Sequence, residues 1–237
     1  LILGKPVIKI ENIVKCVIVK RINRFIVEVI IKGKRTEAYV NNTGRLIDYI
    51  RNGKEGFCAI IEKPKKARYR LFAVKDCGFS AVVDTSLQMK AFEKAIELEF
   101  IPWLKGWMIT KKNIRLGESL IDYLLKCGDV ELYIEVKSAV LRENNYAMYP
   151  DCPSLRGRRH INELIDLVEK GGKGLIAFIA AIPEASAFKP YRSGDPQIYK
   201  LLNRADKKGV IIKSLSMYYN SEDSFIYIDN PDIPVVL

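Results

Sequence analysis

The sequence is poor in the residues that usually announce a site. Its only histidine is His160, and its five cysteines are scattered with no C-x-x-C pair, which excludes a disulfide framework and a zinc centre of the usual spacing. The longest apolar run, residues 175–182, falls far short of the roughly 18 to 20 residues a membrane span requires, so no membrane partner is expected. The first residues show no charged leader, apolar core and cleavage pattern; with an odd number of cysteines, this predicts a protein of the reducing cytoplasm.

The first third also lacks acid. Residues 1–83 hold 18 Lys and Arg against 7 Asp and Glu, whereas residues 84–237 hold 21 of each, so the entire net charge of +11 lies in the first third. Such a field attracts polyanions and predicts salt-dependent affinity for phosphate backbones. A solubilising lysine-rich surface is the other reading of the same composition. The step in charge predicts two domains, 1–83 and 84–237.

What is present begins with short alternating segments at 14–20, 25–31, 36–40, 57–62 and 69–74, separated by turn residues. Five such strands suit a small β-barrel of the oligonucleotide-binding (OB) type. Between the last two lie Lys63, Lys65, Lys66, Arg68, Tyr69 and Arg70, a set of bases around a ring that suits a single-stranded nucleic-acid groove or, more simply, a solvated loop. Asn41-Asn42-Thr43-Gly44-Arg45 reads either as a turn capping a helix over 45–51 or as a backbone nest for phosphate.

The stretch 119–137 carries the chemistry. Two alternating segments meet at Gly128-Asp129, a pair suited to a two-residue hairpin turn. If those two form the loop, Cys127 faces Val130 and Asp122 faces Glu135, which forces two carboxylates together against their mutual repulsion. Lys137 shares their face, while Val130, Leu132, Ile134 and Val136 share the other. Two carboxylates with an ammonium beside them suit Mg²⁺ or Mn²⁺, the lysine orienting an attacking water or stabilising charge in phosphodiester cleavage. A solvated strand face with a weak ion pair is the plain alternative.

Around this hairpin the periodicity predicts helices over 85–98 (capped by Thr85 or Ser86) and 157–170, and a third helix with Asp195 as N-cap and Pro196 at its first position. Strands are expected over 108–115, 175–181 and 210–218, and a polar loop over 142–145. The result is a mixed sheet with helices on its faces, an α/β layer following the barrel. Arg158, Arg159 and His160 open the second helix, where positive charge opposes the macrodipole, a placement that suggests a phosphate contact.

These residues together resemble the sugar fermentation stimulation proteins, whose second domain is similar to PD-(D/E)xK nucleases of the restriction-endonuclease-like type. The resemblance runs through Asn42-Thr43-Gly44-Arg45, the stretch from Gly117 to Asp122, Glu135-Val136-Lys137-Ser138, Pro150-Asp151, Arg156-Gly157 with His160, Glu163-Leu164, and Asp195-Pro196, in the family's order. Ser119-Leu120 departs from the family's usual Ser-Arg. The resemblance implies an OB-like barrel, a nuclease-like α/β domain and DNA binding. It places Asp122, Glu135 and Lys137 on the nuclease motif's acid, acid and lysine, the first two as metal ligands and all three as catalytic residues. Arg45, Arg156, Arg159 and His160 are read as nucleic-acid contacts, and Glu118 and Glu163 as second-tier candidates around the same site. The expected function is therefore a DNA-binding, Mg²⁺-dependent phosphodiesterase; the alternative is a non-catalytic DNA-binding regulator of sugar-use genes.

Overall fold

Alternating burial along five strands closes a barrel near the N-terminus. The computed structural model describes residues 4–62 and 67–237; it begins with β1 (Lys5–Lys9), β2 (Ile13–Arg21), β3 (Ile26–Ile31), β4 (Lys34–Val40), β5 (Glu55–Ile60) and β6 (Tyr69–Asp76). The order β4-β3-β2-β5-β6 is closed by a parallel pairing of β4 with β6, in which Ala38 meets Tyr69 and Val40 meets Leu71. Val27, Val29, Ile31, Ala38 and Val40 fill the interior, and Glu28, Arg35 and Glu37 take the alternate, outward positions. The OB barrel expected from five short strands is thus present. Lys63, Lys65 and Lys66 lie outside the described residues.

The helix expected over 45–51 is not formed. Leu46 takes a positive φ of 53°, which an α-helix excludes, and its carbonyl closes a single turn by accepting from Tyr49 at 3.0 Å and Ile50 at 2.9 Å.

Beyond the barrel come β7 (Phe79–Val82), α1 (Thr85–Glu97), β8 (Met108–Leu116), β9 (Ser119–Cys127), β10 (Val130–Ala139), β11 (Leu141–Glu143) and β12 (Tyr146–Tyr149). The chain ends with α2 (Leu155–Glu169), β13 (Gly174–Ala180), β14 (Ala187–Pro190), α3 (Pro196–Lys207), β15 (Ile211–Asn220) and β16 (Phe225–Ile228). β7-β15-β13-β10-β9-β8 forms a mixed sheet, with β13 parallel to both β10 and β15. Every residue of β13 is buried, as a central strand covered on both faces must be. The polar loop expected over 142–145 is instead the turn of a hairpin, β11 with β12, extended by β14 into a separate three-stranded sheet.

α1 and α2 lie on opposite faces of the mixed sheet. Tyr123 donates to Glu93 of α1 at 2.9 Å, and its ring packs on Phe92. Neighbouring positions on a strand face opposite ways, and Glu135, on the other face of β10, meets His160 of α2. The N-cap of α1 is Asp84, not Thr85 or Ser86: its carboxylate accepts from Leu87 at 3.1 Å, while Thr85 turns its N–H and hydroxyl to the Asn41 carbonyl. Asp195 caps α3 as its sequence predicts, with Pro196 first in the helix. Among the described residues no helix is long and apolar enough to cross a membrane.

Candidate active site

The hairpin register is the one that the Gly-Asp turn dictates. Gly128 takes a φ of 58°, Cys127 pairs with Val130, and the ladder continues to Tyr123 opposite Ile134. There the ladder ends. At the next position the Asp122 carboxylate replaces the backbone carbonyl as acceptor, taking the Val136 N–H at 2.8 Å. The two strands are thereby held together by a side chain at the position where Asp122 and Glu135 meet.

The oxygens of Glu135 have different surroundings. Oε1 accepts from the Lys137 ammonium and from Nδ1 of His160. Oε2 is buried with no hydrogen-bond partner among the described residues. His160 itself accepts from Arg156 Nε at 3.2 Å through Nε2. Because the arginine Nε can only donate, the imidazole carries its proton on Nδ1, where it faces the carboxylate.

Charge and burial act against each other here. Burial first, and then the charge of Glu135, push the Asp122 carboxyl up to about 7. Burial also pushes Glu135 upward, but the Lys137 ammonium and the His160 N–H outweigh it and leave the carboxyl below its ordinary value. Burial favours the neutral amine of Lys137, and Glu135, ahead of Tyr149, reverses this and raises it. The cluster thus holds one firmly ionised pair beside a carboxyl that titrates near neutrality.

Asp122, Glu135, Lys137 and Tyr149 line a cleft of about 340 Å³ between the barrel and the α/β layer, with His160 buried behind Glu135. Its barrel wall is the loop Asn41-Asn42-Thr43-Gly44, and the opposite wall runs from Tyr149 through Cys152 to Ser154 and Arg156. The loop is shaped from below by Arg21, whose guanidinium donates to the carbonyls of Asn42 at 2.8 Å, Arg45 at 3.0 Å and Gly44. Asn42 closes the turn on the Gly44 N–H at 2.9 Å, and Asp151 reaches across from the far wall to the Leu46 N–H at 2.9 Å. Neither Arg21 nor Tyr149 is marked by the sequence: an isolated arginine at a strand end and a tyrosine on a short strand carry no local signal.

The remaining sequence-derived candidates separate. Arg156 lines the cleft and Arg45 stands exposed beside it. Arg159 turns to Ser119 at 3.2 Å, and Arg70 pairs with the buried Asp84. Arg68 is exposed, and Tyr69 is half-buried at the start of β6. Glu163 of α2 accepts the Glu118 N–H of the β8–β9 turn at 2.9 Å, so the pair ties that turn to the helix and neither residue lines the cleft. The positive charge that opens α2 is met by Asp195, which takes Arg158 at 2.9 Å.

As a cation site the cleft offers few donors. Among the described residues there is no cluster of three or more His, Cys, Asp or Glu. Two carboxylates remain, one with a buried oxygen lacking any donor. That set fits a hard, largely hydrated ion such as Mg²⁺, which usually takes one or two protein carboxylates and keeps several waters, and does not fit zinc.

Comparison with known proteins agrees with this architecture. Residues 19–83 match the family described as SfsA N-terminal OB domain, and residues 86–223 match that described as sugar fermentation stimulation protein RE domain. A sugar fermentation stimulation protein homolog of Pyrococcus furiosus is 46% identical over 222 residues, covering 92% of this chain and 95% of its own length. One from Archaeoglobus fulgidus is 43% identical over 229 residues, covering 97% of this chain and 98% of its own. The solved structure of Pyrococcus furiosus SfsA in complex with Ca²⁺ superposes with a TM-score of 0.94 at 43% identity, covering 99% of this chain and 100% of that one.

Proposed function

Because the chain belongs to the sugar fermentation stimulation protein family, we propose that it binds DNA across the barrel and cleaves a phosphodiester in the cleft with Mg²⁺ or Mn²⁺. The observation that carries this reading is the division of labour at Glu135: Oε1 is held by Lys137 and His160, and Oε2 is left buried without a donor. A buried carboxylate oxygen without a partner costs about 1–3 kcal/mol or more, and a cation bound beside Asp122 and Glu135 would remove that cost. Asp122 and Glu135 would hold that ion. That a relative has been solved with Ca²⁺, another hard ion taking oxygen ligands, supports the choice. When bound, such an ion supplies a Lewis acid for the phosphoryl oxygens and lowers the pKa of a coordinated water.

The chain's own groups do the rest. Lys137 has three N–H donors, of which Glu135 takes one, leaving two for a water or a phosphate oxygen. His160 holds Glu135 in place from the helix side, and Arg156, oriented by His160, faces the cleft where a phosphate would sit. The excess charge of residues 1–83 supplies affinity for the backbone. A cytoplasmic location, with all five cysteines as free thiols, is part of this reading.

The test is metal-dependent cleavage of labelled single- and double-stranded DNA and RNA by the protein and by its Glu135→Ala and Lys137→Ala variants. Cleavage that falls ~10²- to 10³-fold in both variants is expected. Absence of cleavage on every substrate, with salt-sensitive DNA binding retained, would replace this reading with that of a non-catalytic DNA-binding regulator.

A further inference from the structure

The cleft opens onto a second, shallower depression on the barrel, lined by Arg21, Arg24 and Arg45 and sharing Thr43 and Gly44 with the cleft. Arg21 is occupied by the loop carbonyls, whereas Arg24 and Arg45 are exposed. Beside them the turn between β2 and β3 places Phe25 at the surface, 42% exposed. Its ring lies 6.2 Å from that of Tyr39 and within 16° of parallel, and the Arg24 guanidinium is 5.6 Å from its centroid. The Tyr39 hydroxyl donates to Asn41 Oδ1 at 3.3 Å, and Asn41 lines the cleft. Stacked rings with guanidinium groups alongside therefore lead from the barrel surface to the buried carboxylates.

That combination has the chemistry of an unpaired nucleic-acid strand: an aromatic face for a base and cations for the phosphates on either side. The cleft's dimensions point the same way. At about 340 Å³ it is the size of a small-molecule pocket, and Glu135 on its floor is 2% exposed. A duplex keeps its bases stacked inside a stiff rod, whereas a single strand can bend its backbone inward toward a buried floor. We propose that the strand entering the cleft is unpaired and that a base on its barrel side stacks on Phe25, taking the place of the Arg24 guanidinium over that ring, with Arg24 and Arg45 turning to the adjoining phosphates. This rests on reading the cleft as a phosphodiester site and names the substrate class for it.

The experiment is equilibrium binding of a short labelled oligonucleotide, as single-stranded DNA, as single-stranded RNA and as the corresponding DNA duplex, in chelator so that no turnover intervenes. The native protein should hold a single strand about tenfold or more tighter than the duplex. Phe25→Ala should lose about tenfold on the single strand with little change on the duplex, and Phe25→Trp should keep the affinity. Loss on DNA alone, on RNA alone or on both supports the proposal and tells which strand is preferred. Equal or tighter duplex binding, or a Phe25→Ala variant indistinguishable from the native protein on both single strands, would overturn it. Phe25 is exposed, and an unchanged unfolding midpoint in both variants establishes that the fold is intact. The readout needs no cleavage, so a failed cleavage assay and a failed stacking test remain separate results.

Discussion

Single residues set the titration of the site. A carboxyl raised to about 7 in the fold, against roughly 3.9 in an unfolded chain, makes the native state hold a proton that the unfolded state has released. Asp122 therefore supports stability fully below about pH 4, and this support is lost as pH rises through about 7, a change of roughly 4 kcal/mol. In chelator the urea midpoint of the native protein should fall across that window, and Asp122→Asn, which keeps an acceptor for the Val136 N–H, should remove that part of the slope; equal slopes would refute the assignment. Gly157 shows a second single-residue constraint. A Cβ there would stand 2.6 Å from the Tyr149 hydroxyl and 2.9 Å from Ser154 Oγ. Alanine would favour the helix by ~1 kcal/mol, but overpacking costs about 1–3 kcal/mol, so Gly157→Ala should lower the melting temperature by a few degrees. Asp122, Glu135 and Lys137 could be read from the sequence because strand alternation and a two-residue turn are local facts. The roles of His160 and Arg21 could not, since each acts on a partner brought near only by folding.

Elements depend on a carboxylate of their own, Asp195. Asp195 accepts from Gln197 and Ile198 at the start of α3, from Ser154 at the start of α2 at 2.9 Å, and from Arg158. Burial pushes its carboxyl up, but Arg158 and the backbone N–H groups outweigh that and hold it below its ordinary value. Its support is accordingly present above the unfolded pKa and lost as pH falls through the lower, folded one. Asp195→Ala removes a cap worth about 1 kcal/mol and several charge-assisted hydrogen bonds, so a loss of about 2–4 kcal/mol is expected in chemical denaturation; a loss under 1 kcal/mol would show the junction of α2 and α3 to be held otherwise. The three helices and the long strands were legible because their apolar spacing repeats over several turns. β11, β12 and β14 were not: each has three or four residues, too few to display a period, and their pairing joins segments far apart in sequence.

The whole molecule is less divided than its charge. The composition steps from basic to balanced near residue 83, yet β7 pairs with β6 of the barrel and, through Ser80 and Tyr219, with β15 of the mixed sheet. Arg142 adds a second tie, reaching Asp76 at 2.9 Å and the Pro183 carbonyl at 2.6 Å. No local pattern foretells either contact. Unfolding in urea should follow one transition, with far-ultraviolet circular dichroism of the whole chain and fluorescence of Trp103 and Trp107 superimposing; two separated midpoints would show the halves to be independent. The last consequence concerns the order in which the chain is made. β1 stays outside the barrel and takes its partner from β16, Lys5 meeting Ile228. During synthesis the barrel strands find one another within a contiguous stretch, while the leading strand waits until nearly every described residue has been added. Closing the barrel needs only the strands up to β6, whereas the seat of β1 is complete only once β16 has been made.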